Sequence, residues 1–300
     1  LQASLELYRA ARNENGVADV LLQLAAVKRA KGDYVAEEQC LSECLPIYRA
    51  TQNRLGIALT LTGLSILARA KGHYANSRAL LEEGLAIYRE IGNQRETAFI
   101  LNNLGYLAGL QEDYPAAERF LRESVALARE ISNRWALASA LNQIGYIHCF
   151  ERNFAAAEIA LAESLGICRE IHDQWGVSVC LTGMGRVAAG QGQTAQARQR
   201  FLEALHTAMQ VPVMQVALEA LVGLGQLAIQ AAQPLLAIEY FSLAIHHPAT
   251  RHETRIEAEQ LAADLRPVLP ANAWQAAFTT GQTRTLEQVT ETLVGQATSV

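Results

Sequence analysis

Apolar residues recur three and four positions apart in two neighbouring stretches, AFILNNLGYLAGLQ (98–111) and AAERFLRESVALAREI (116–131), separated by a short polar break. That period predicts two helices, each with one apolar face. The break contains Asp113, suited to cap the second helix, and Pro115, which sits where the first turn has no use for its missing N–H. Residues 95–131 are therefore expected to form a helix hairpin. Gly92-Asn93 before it and Ser132-Asn133 after it predict left-handed or turn backbone that ends one helix before the next begins. Pro212 holds the same place further on and is expected to stop its helix more sharply.

The hairpin is one copy of a repeat. Leu1, Leu41, Leu81, Leu121 and Leu161 are each forty residues apart, as are Arg9, Arg49, Arg89, Arg129 and Arg169. Tyr8, Tyr48 and Tyr88 keep the same step, and so do Asn13, Asn53, Asn93, Asn133 and the similar Asp173. A second turn is marked by Tyr34, Tyr74, Tyr114 and Phe154, with Gly32, Gly72 and Gly192 two residues before the aromatic position. No insertion interrupts the register over roughly two hundred residues, so each copy is one supersecondary unit stacked on the next. Small residues recur where two helices must come close. Gly105, Gly145, Gly185 and Gly225 follow Ala25 and Ser65 on the first helix, and Ala117, Ala157, Ala197 and Ala237 follow Ser77 on the second. A mid-helix glycine costs about 1 kcal/mol relative to alanine, so its return at one phase implies close backbone contact inside the hairpin.

The pairs Leu104-Gly105, Ile144-Gly145, Met184-Gly185 and Leu224-Gly225, each followed twelve residues later by alanine, resemble the tetratricopeptide repeat over about residues 1–246. The unit exceeds the common 34-residue form by six residues, placed in the second helix and its exit. The resemblance implies an all-α fold, a right-handed α-solenoid of antiparallel helix hairpins with a helical cap. On this register residues 1–15 are the second helix of a truncated leading repeat, 16–250 are six hairpins, and 251–300 are a capping helix with a short helical tail. Leu1 then falls in mid-repeat, and further protein is expected before it. Fidelity drops after Gln210: Pro234 replaces the aromatic and Pro248 truncates the sixth second helix.

Beyond Arg251 the register fails, and RHETRIEAEQLAADLR predicts a polar amphipathic cap. Helices are expected near Ala271–Thr279 and Leu286–Val294, the latter opened by Thr285 and Gln288 as a capping box. With Ala273-Trp274, Gly281 and Leu286-Glu287, this tail resembles the C-terminal end of bacterial multidomain signal-transduction ATPases and transcriptional regulators, in which forty-residue repeats follow a nucleotide-binding switch domain.

Composition narrows the function classes. A net charge of -5 with no dense basic run argues against nucleic-acid contact. Five scattered cysteines in a long, core-rich chain read as free thiols in a reducing, cytoplasmic setting. Ala220–Ile238 is uncharged for 19 residues, but Gln226, Gln230, Gln233 and Pro234 divide it into two helices, so no membrane span is expected.

Little in the chain suggests catalysis. Gly183, Gly185 and Ala188, and again Gly223, Gly225 and Ala228, match a dinucleotide fingerprint without the strand it requires, so no cofactor is expected. Cys40 and Cys44 share a helix face, but Cys44 occupies a small-residue packing phase; His246, His247 and His252 cluster in an expected polar loop without companion ligands. No metal site and no catalytic residues are assigned, and an enzyme is not expected.

What remains is surface. The tetratricopeptide phase lines a concave groove with Phe99, Asn102, Tyr106 and Leu110, then Ser139, Asn142, Tyr146 and Phe150, with Arg29, Arg69 and Arg186 on the same wall. Aromatics and arginines at such positions favour a protein or peptide partner; packing of Tyr106 and Tyr146 between hairpins is the competing explanation. The expectation is a noncatalytic interaction and sensing module of a bacterial regulator that biases an upstream switch domain. The alternative is a receptor whose groove is the pocket for a small-molecule effector or signalling peptide.

Overall fold

The computed structural model describes residues 1–30, 33–211 and 214–297, which contain sixteen helices and no strand. Gly32, expected in a turn, Lys31 beside it, and Pro212, expected to stop a helix, lie outside the described residues. The chain forms two compact units, Leu1–Ala136 and Leu137–Val300.

The first unit holds α1 (Gln2–Ala10) and the hairpins α2 (Glu14–Ala30)/α3 (Tyr34–Ala50), α4 (Arg54–Ala70)/α5 (Tyr74–Glu90) and α6 (Gln94–Leu110)/α7 (Tyr114–Glu130). Helix α8 (Arg134–Phe150) begins in it and continues into the second unit, where α9 (Phe154–Glu170) completes the hairpin. Two more hairpins follow, α10 (Gln174–Gly190)/α11 (Thr194–Gln210) and α12 (Met214–Gln230)/α13 (Pro234–His246), and then α14 (His252–Leu265), α15 (Ala271–Thr283) and α16 (Leu286–Ala297). Within each unit consecutive hairpins stack as helical repeats, and α2 to α12 are each 17 residues long.

The forty-step asparagine does two jobs. Its backbone N–H closes the preceding helix, Asn53 onto the Tyr48 carbonyl and Asn93 onto the Tyr88 carbonyl, both at 2.9 Å. Its side chain then caps the next helix, accepting from Gly56 N at 2.9 Å and Glu96 N at 3.2 Å. The residue before it is left-handed, as expected at Gly92 (φ 68°) and Ser132 (φ 55°), and also at Gln52 and His172. Asp113 caps α7 with Pro115 in its first turn.

Glycine 105 meets the second helix differently from expectation. A Cβ there would lie 2.5 Å from Leu121 Cγ and 3.3 Å from the Ala117 carbonyl oxygen, and Gly145 repeats this with Leu161 and Ala157. The forty-step leucine is thus the knob and the glycine the hole, with backbone contact behind it. In the second unit the knob enlarges, Phe201 filling the space over Gly185 and Phe241 that over Gly225. The same periodicity appears in hydrogen bonds: Ser124 Oγ donates to the Ala98 carbonyl at 2.9 Å, and Ser164 Oγ to the Ala138 carbonyl at 2.7 Å.

At the C-terminal end, α13 is four residues shorter than its counterparts, as Pro248 suggests. Helix α15 runs to Thr283, past the expected end at Thr279. It continues through Gly281 because the missing side chain lets the helix lie against the Glu239 carbonyl of α13, while Ser242 Oγ donates to the Phe278 carbonyl at 2.6 Å. The capping box forms: Thr285 N donates to Gln288 Oε1 and Gln288 N to Thr285 Oγ1. No described helix is long and apolar enough to cross a membrane.

Candidate functional site

In the first unit, Phe99, Asn102 and Tyr106 share one face of α6, because spacings of three and four residues stack side chains along a helix. Tyr106 lies under the Arg69 guanidinium of α4, 4.9 Å from the ring centroid, a cation–π contact that joins consecutive first helices. Phe99 packs 5.9 Å from Trp135, which opens α8 and is 40% exposed. Asn102 is 2% exposed; its Nδ2 donates to the Ala136 carbonyl at 3.1 Å, while Oδ1 is buried without a hydrogen-bond partner. Folding leaves that acceptor unsatisfied, at a cost of about 1–3 kcal/mol. Arg29 turns to Glu37, its Nε 3.5 Å from the carboxylate. Leu110 closes the row half-buried at the end of α6.

In the second unit Tyr146 belongs to an internal polar cluster. Tyr146 donates to Glu219 Oε1 at 3.1 Å, with the Val179 carbonyl oxygen 3.4 Å away. Burial, then the Glu219 charge, raises the tyrosine well above its ordinary pKa. Forty residues on, Arg186 grips Glu257 of α14 with both terminal nitrogens, at 3.0 and 2.8 Å, and its Nε lies 3.7 Å from Glu219. Forty further, Gln226 Nε2 donates to the same Glu257 carboxylate at 3.1 Å. Arg251 completes the cluster 3.8 Å from Glu219 Oε2. Burial would raise the Glu257 carboxyl, but the charge and hydrogen bonds of Arg186, with Gln226, hold it below its ordinary 4.5. Asn142 is buried and donates to Cys180 Sγ at 3.4 Å. Ser139 is half-buried, and Phe150 is 58% exposed.

Of the ten positions expected to line a groove, five lie in the first unit and five in the second. In the first, Phe99, Tyr106 and Arg69 are partly exposed, Asn102 is buried, and Arg29 stands beside Glu37. Tyr146 and Arg186 belong to a closed polar cluster in the second. Sequence reasoning missed Trp135, Glu219 and Glu257. Trp135 recurs forty residues on as Trp175, a step that could have marked it although the earlier copies hold Asn15, Leu55 and Arg95; Glu257 lies beyond the register, so periodicity does not mark it.

The remaining motifs resolve as packing. Gly183 and Gly223 lie mid-helix, where added Cβ atoms would crowd Tyr146 and Phe201. Cys44 is buried against Thr60, sulfur to hydroxyl 3.4 Å. His246 is not in a loop: it ends α13, bonded to the Ser242 carbonyl and edge-on to Phe278 at 5.4 Å. Among the described residues no group of three or more His, Cys, Asp or Glu is placed to hold a metal ion.

A tetratricopeptide repeat family model matches residues 56–130 and 136–208. Among solved structures, NprR in complex with its cognate peptide NprX is similar at a TM-score of 0.66 and 15% identity, covering 95% of this chain and 82% of that one. BtubC from P. vanneervenii is similar at 0.58 and 18% identity, over 70% and 89% of the two chains. A signal transduction ATPase with numerous domains from Pyrococcus horikoshii, which has a tetratricopeptide repeat sensor, is similar at 0.57 and 10% identity, over 90% of this chain and 39% of that one. At these identities the likeness is one of fold. No curated protein matches the chain by sequence.

Proposed function

Because the chain is a tetratricopeptide-repeat protein, we propose that it is a noncatalytic interaction and sensing module that binds a peptide or extended protein segment on the first-helix wall of its first unit. The observation that carries this is the contrast between the two units. The Tyr106 phase is consumed by an internal ion-pair cluster in the second, through Tyr146, Arg186 and Gln226, whereas in the first Tyr106 stacks with Arg69 and the Phe99–Trp135 aromatic pair stands at a partly open surface. Aromatic rings and arginine supply contact area at little entropic cost, which is why they dominate binding hot spots. NprR, similar in fold, is described in complex with a peptide. In a regulator, binding here would bias an upstream switch domain by favouring one of its two states, which requires different affinity for each. The free thiols suit a cytoplasmic setting.

Peptides selected from a random display library against the intact chain supply the probe. Their affinity is then measured for the wild type and for a Trp135→Ala/Tyr106→Ala variant whose circular dichroism is unchanged. The expected loss exceeds tenfold, about 1.4 kcal/mol. Selected peptides that bind both proteins equally would place the interaction elsewhere.

A further inference from the structure

The cluster in the second unit has an occupant that does not belong to the repeat. Arg186, Gln226 and Tyr146 sit at one phase of three successive first helices, α10, α12 and α8, whereas Glu257 arrives on α14, where the forty-residue register has already ended. Two arginines, Arg186 and Arg251, face two carboxylates, Glu219 and Glu257. Glu219 is held by Tyr146 and both arginines from within the hairpin stack and the segment leading into α14. Withdrawal of Glu257 would leave the Arg186 guanidinium without its bidentate partner, beside the Gln226 amide N–H, in a poorly solvated seat. Planar guanidinium with a second donor beside it is a carboxylate receptor.

The helix that supplies Glu257 is lightly packed. Its buried residues are Thr254, Ala258, Ala262 and Leu265, with Leu261 partly buried, so its large aliphatic contacts lie in its C-terminal half. By contrast α13 buries Ile238, Tyr240, Phe241 and Leu243. Leu265 lies at the far end of α14, where Trp274 Nε1 also donates to the Ala262 carbonyl at 3.3 Å. The C-terminal half of α14 is thus pinned by Leu265 and by Trp274, whereas the first two turns bury only the small Thr254 and Ala258 and are tied by Arg255, which donates to the His247 carbonyl at 3.3 Å, and by the Glu257 carboxylate.

We infer that Arg186 and Gln226 form a binding site for a glutamate on a helical segment of a partner protein, and that Glu257 occupies this site as a replaceable internal stand-in. The helical class follows from the seat: the resident carboxylate projects from a helix whose adjoining buried positions are threonine and alanine, so a competing segment needs a glutamate flanked by small residues. A partner segment of that kind would take the carboxylate seat while the first turns of α14 lift away. This inference stands apart from peptide binding by the first unit, and the residues it tests are different.

The probe is a labelled synthetic peptide of residues 251–266, RHETRIEAEQLAADLR, titrated against the intact chain. It is expected to bind a Glu257→Ala chain at least tenfold more tightly than the wild type, whose seat is filled. The same peptide carrying Glu257→Gln is expected to lose at least tenfold on the Glu257→Ala chain. Equal binding to both chains, or no preference for glutamate over glutamine, would overturn the proposal; glutarate displacing the peptide at equal concentration would overturn the helical-segment assignment. Should the Glu257→Ala chain fail to fold, hydrogen exchange on the wild type decides. Excess glutamate peptide is expected to raise exchange in residues 253–258, and unchanged protection there refutes the exchange of occupants.

Discussion

Glu37→Ala is expected to stabilise the first unit. Glu37 stands on α3 at the phase filled by Ser77, Ala117, Ala157, Ala197 and Ala237 in the other hairpins, where two helices cross closely. Its side chain is 0% exposed and neither carboxylate oxygen has a hydrogen-bond partner. The compensation is the Arg29 Nε at 3.5 Å, on a side chain itself 34% exposed. Burial raises the carboxyl above its ordinary 4.5, and the charges of Arg29 and Lys71 only partly oppose this. Leaving a buried charged acceptor unpaired costs about 3 kcal/mol, the upper end for such groups. Truncation to alanine forfeits the Cγ methylene, about 0.8 kcal/mol, and Arg29 regains water at little cost. The net expectation is a gain of about 2 kcal/mol at neutral pH, in keeping with the tolerance of buried ion pairs to apolar replacement. The pH dependence has a definite sign. A carboxyl with a raised folded pKa contributes stability below its unfolded value and loses it as pH rises through the folded value. The advantage of Glu37→Ala should therefore shrink as pH falls toward 4.5, where the wild-type carboxyl binds its proton more readily folded than unfolded. Urea denaturation followed by circular dichroism across a pH series measures this. A variant less stable than the wild type at neutral pH, or a difference independent of pH, would refute the reasoning.

Three further outcomes are expected. Gly145→Leu should destabilise by about 1–3 kcal/mol, since even a Cβ there lies 2.5 Å from Leu161 Cγ; an unchanged denaturation midpoint would contradict the knob-and-hole contact. Arg186→Ala should cost about 3 kcal/mol, the lower end for a broken buried pair, because Glu257 loses its bidentate partner while Glu219 keeps Tyr146 and Arg251, and Arg186→Met combined with Glu257→Leu should recover most of that loss, checked by thermal melts. The second helices of the first unit carry a ladder of surface ion pairs, Arg9–Glu43, Arg49–Glu83 and Arg89–Glu123, at 2.5, 3.1 and 2.5 Å. Because these side chains are about half exposed, Glu83→Gln should cost less than about 1 kcal/mol and nothing measurable in high salt, as a salt series of melts would show.

Hairpins, caps and the close approach at the repeated glycines were legible in the sequence because each involves contacts within one repeat or between neighbours, so every copy restates them, whereas the leucine knob was not read. Leu121 over Gly105 and Leu161 over Gly145 are the same contact written twice. The asparagine step was visible, but its double role was not, since ending a helix and capping the next call for the same residue type. The site was legible only as a set of positions. Tyr106 and Tyr146 are the same residue at the same phase, yet one stacks with Arg69 while the other is bound to Glu219, 73 residues away. That difference depends on side chains reaching past the nearest neighbour and on α14, which lies outside the repeat. Glu37 likewise breaks its phase, and only packing reveals that this break is buried. A forty-residue period encodes nearest-neighbour packing; charge pairing at longer range is set by how the unrepeated end of the chain folds back onto the stack.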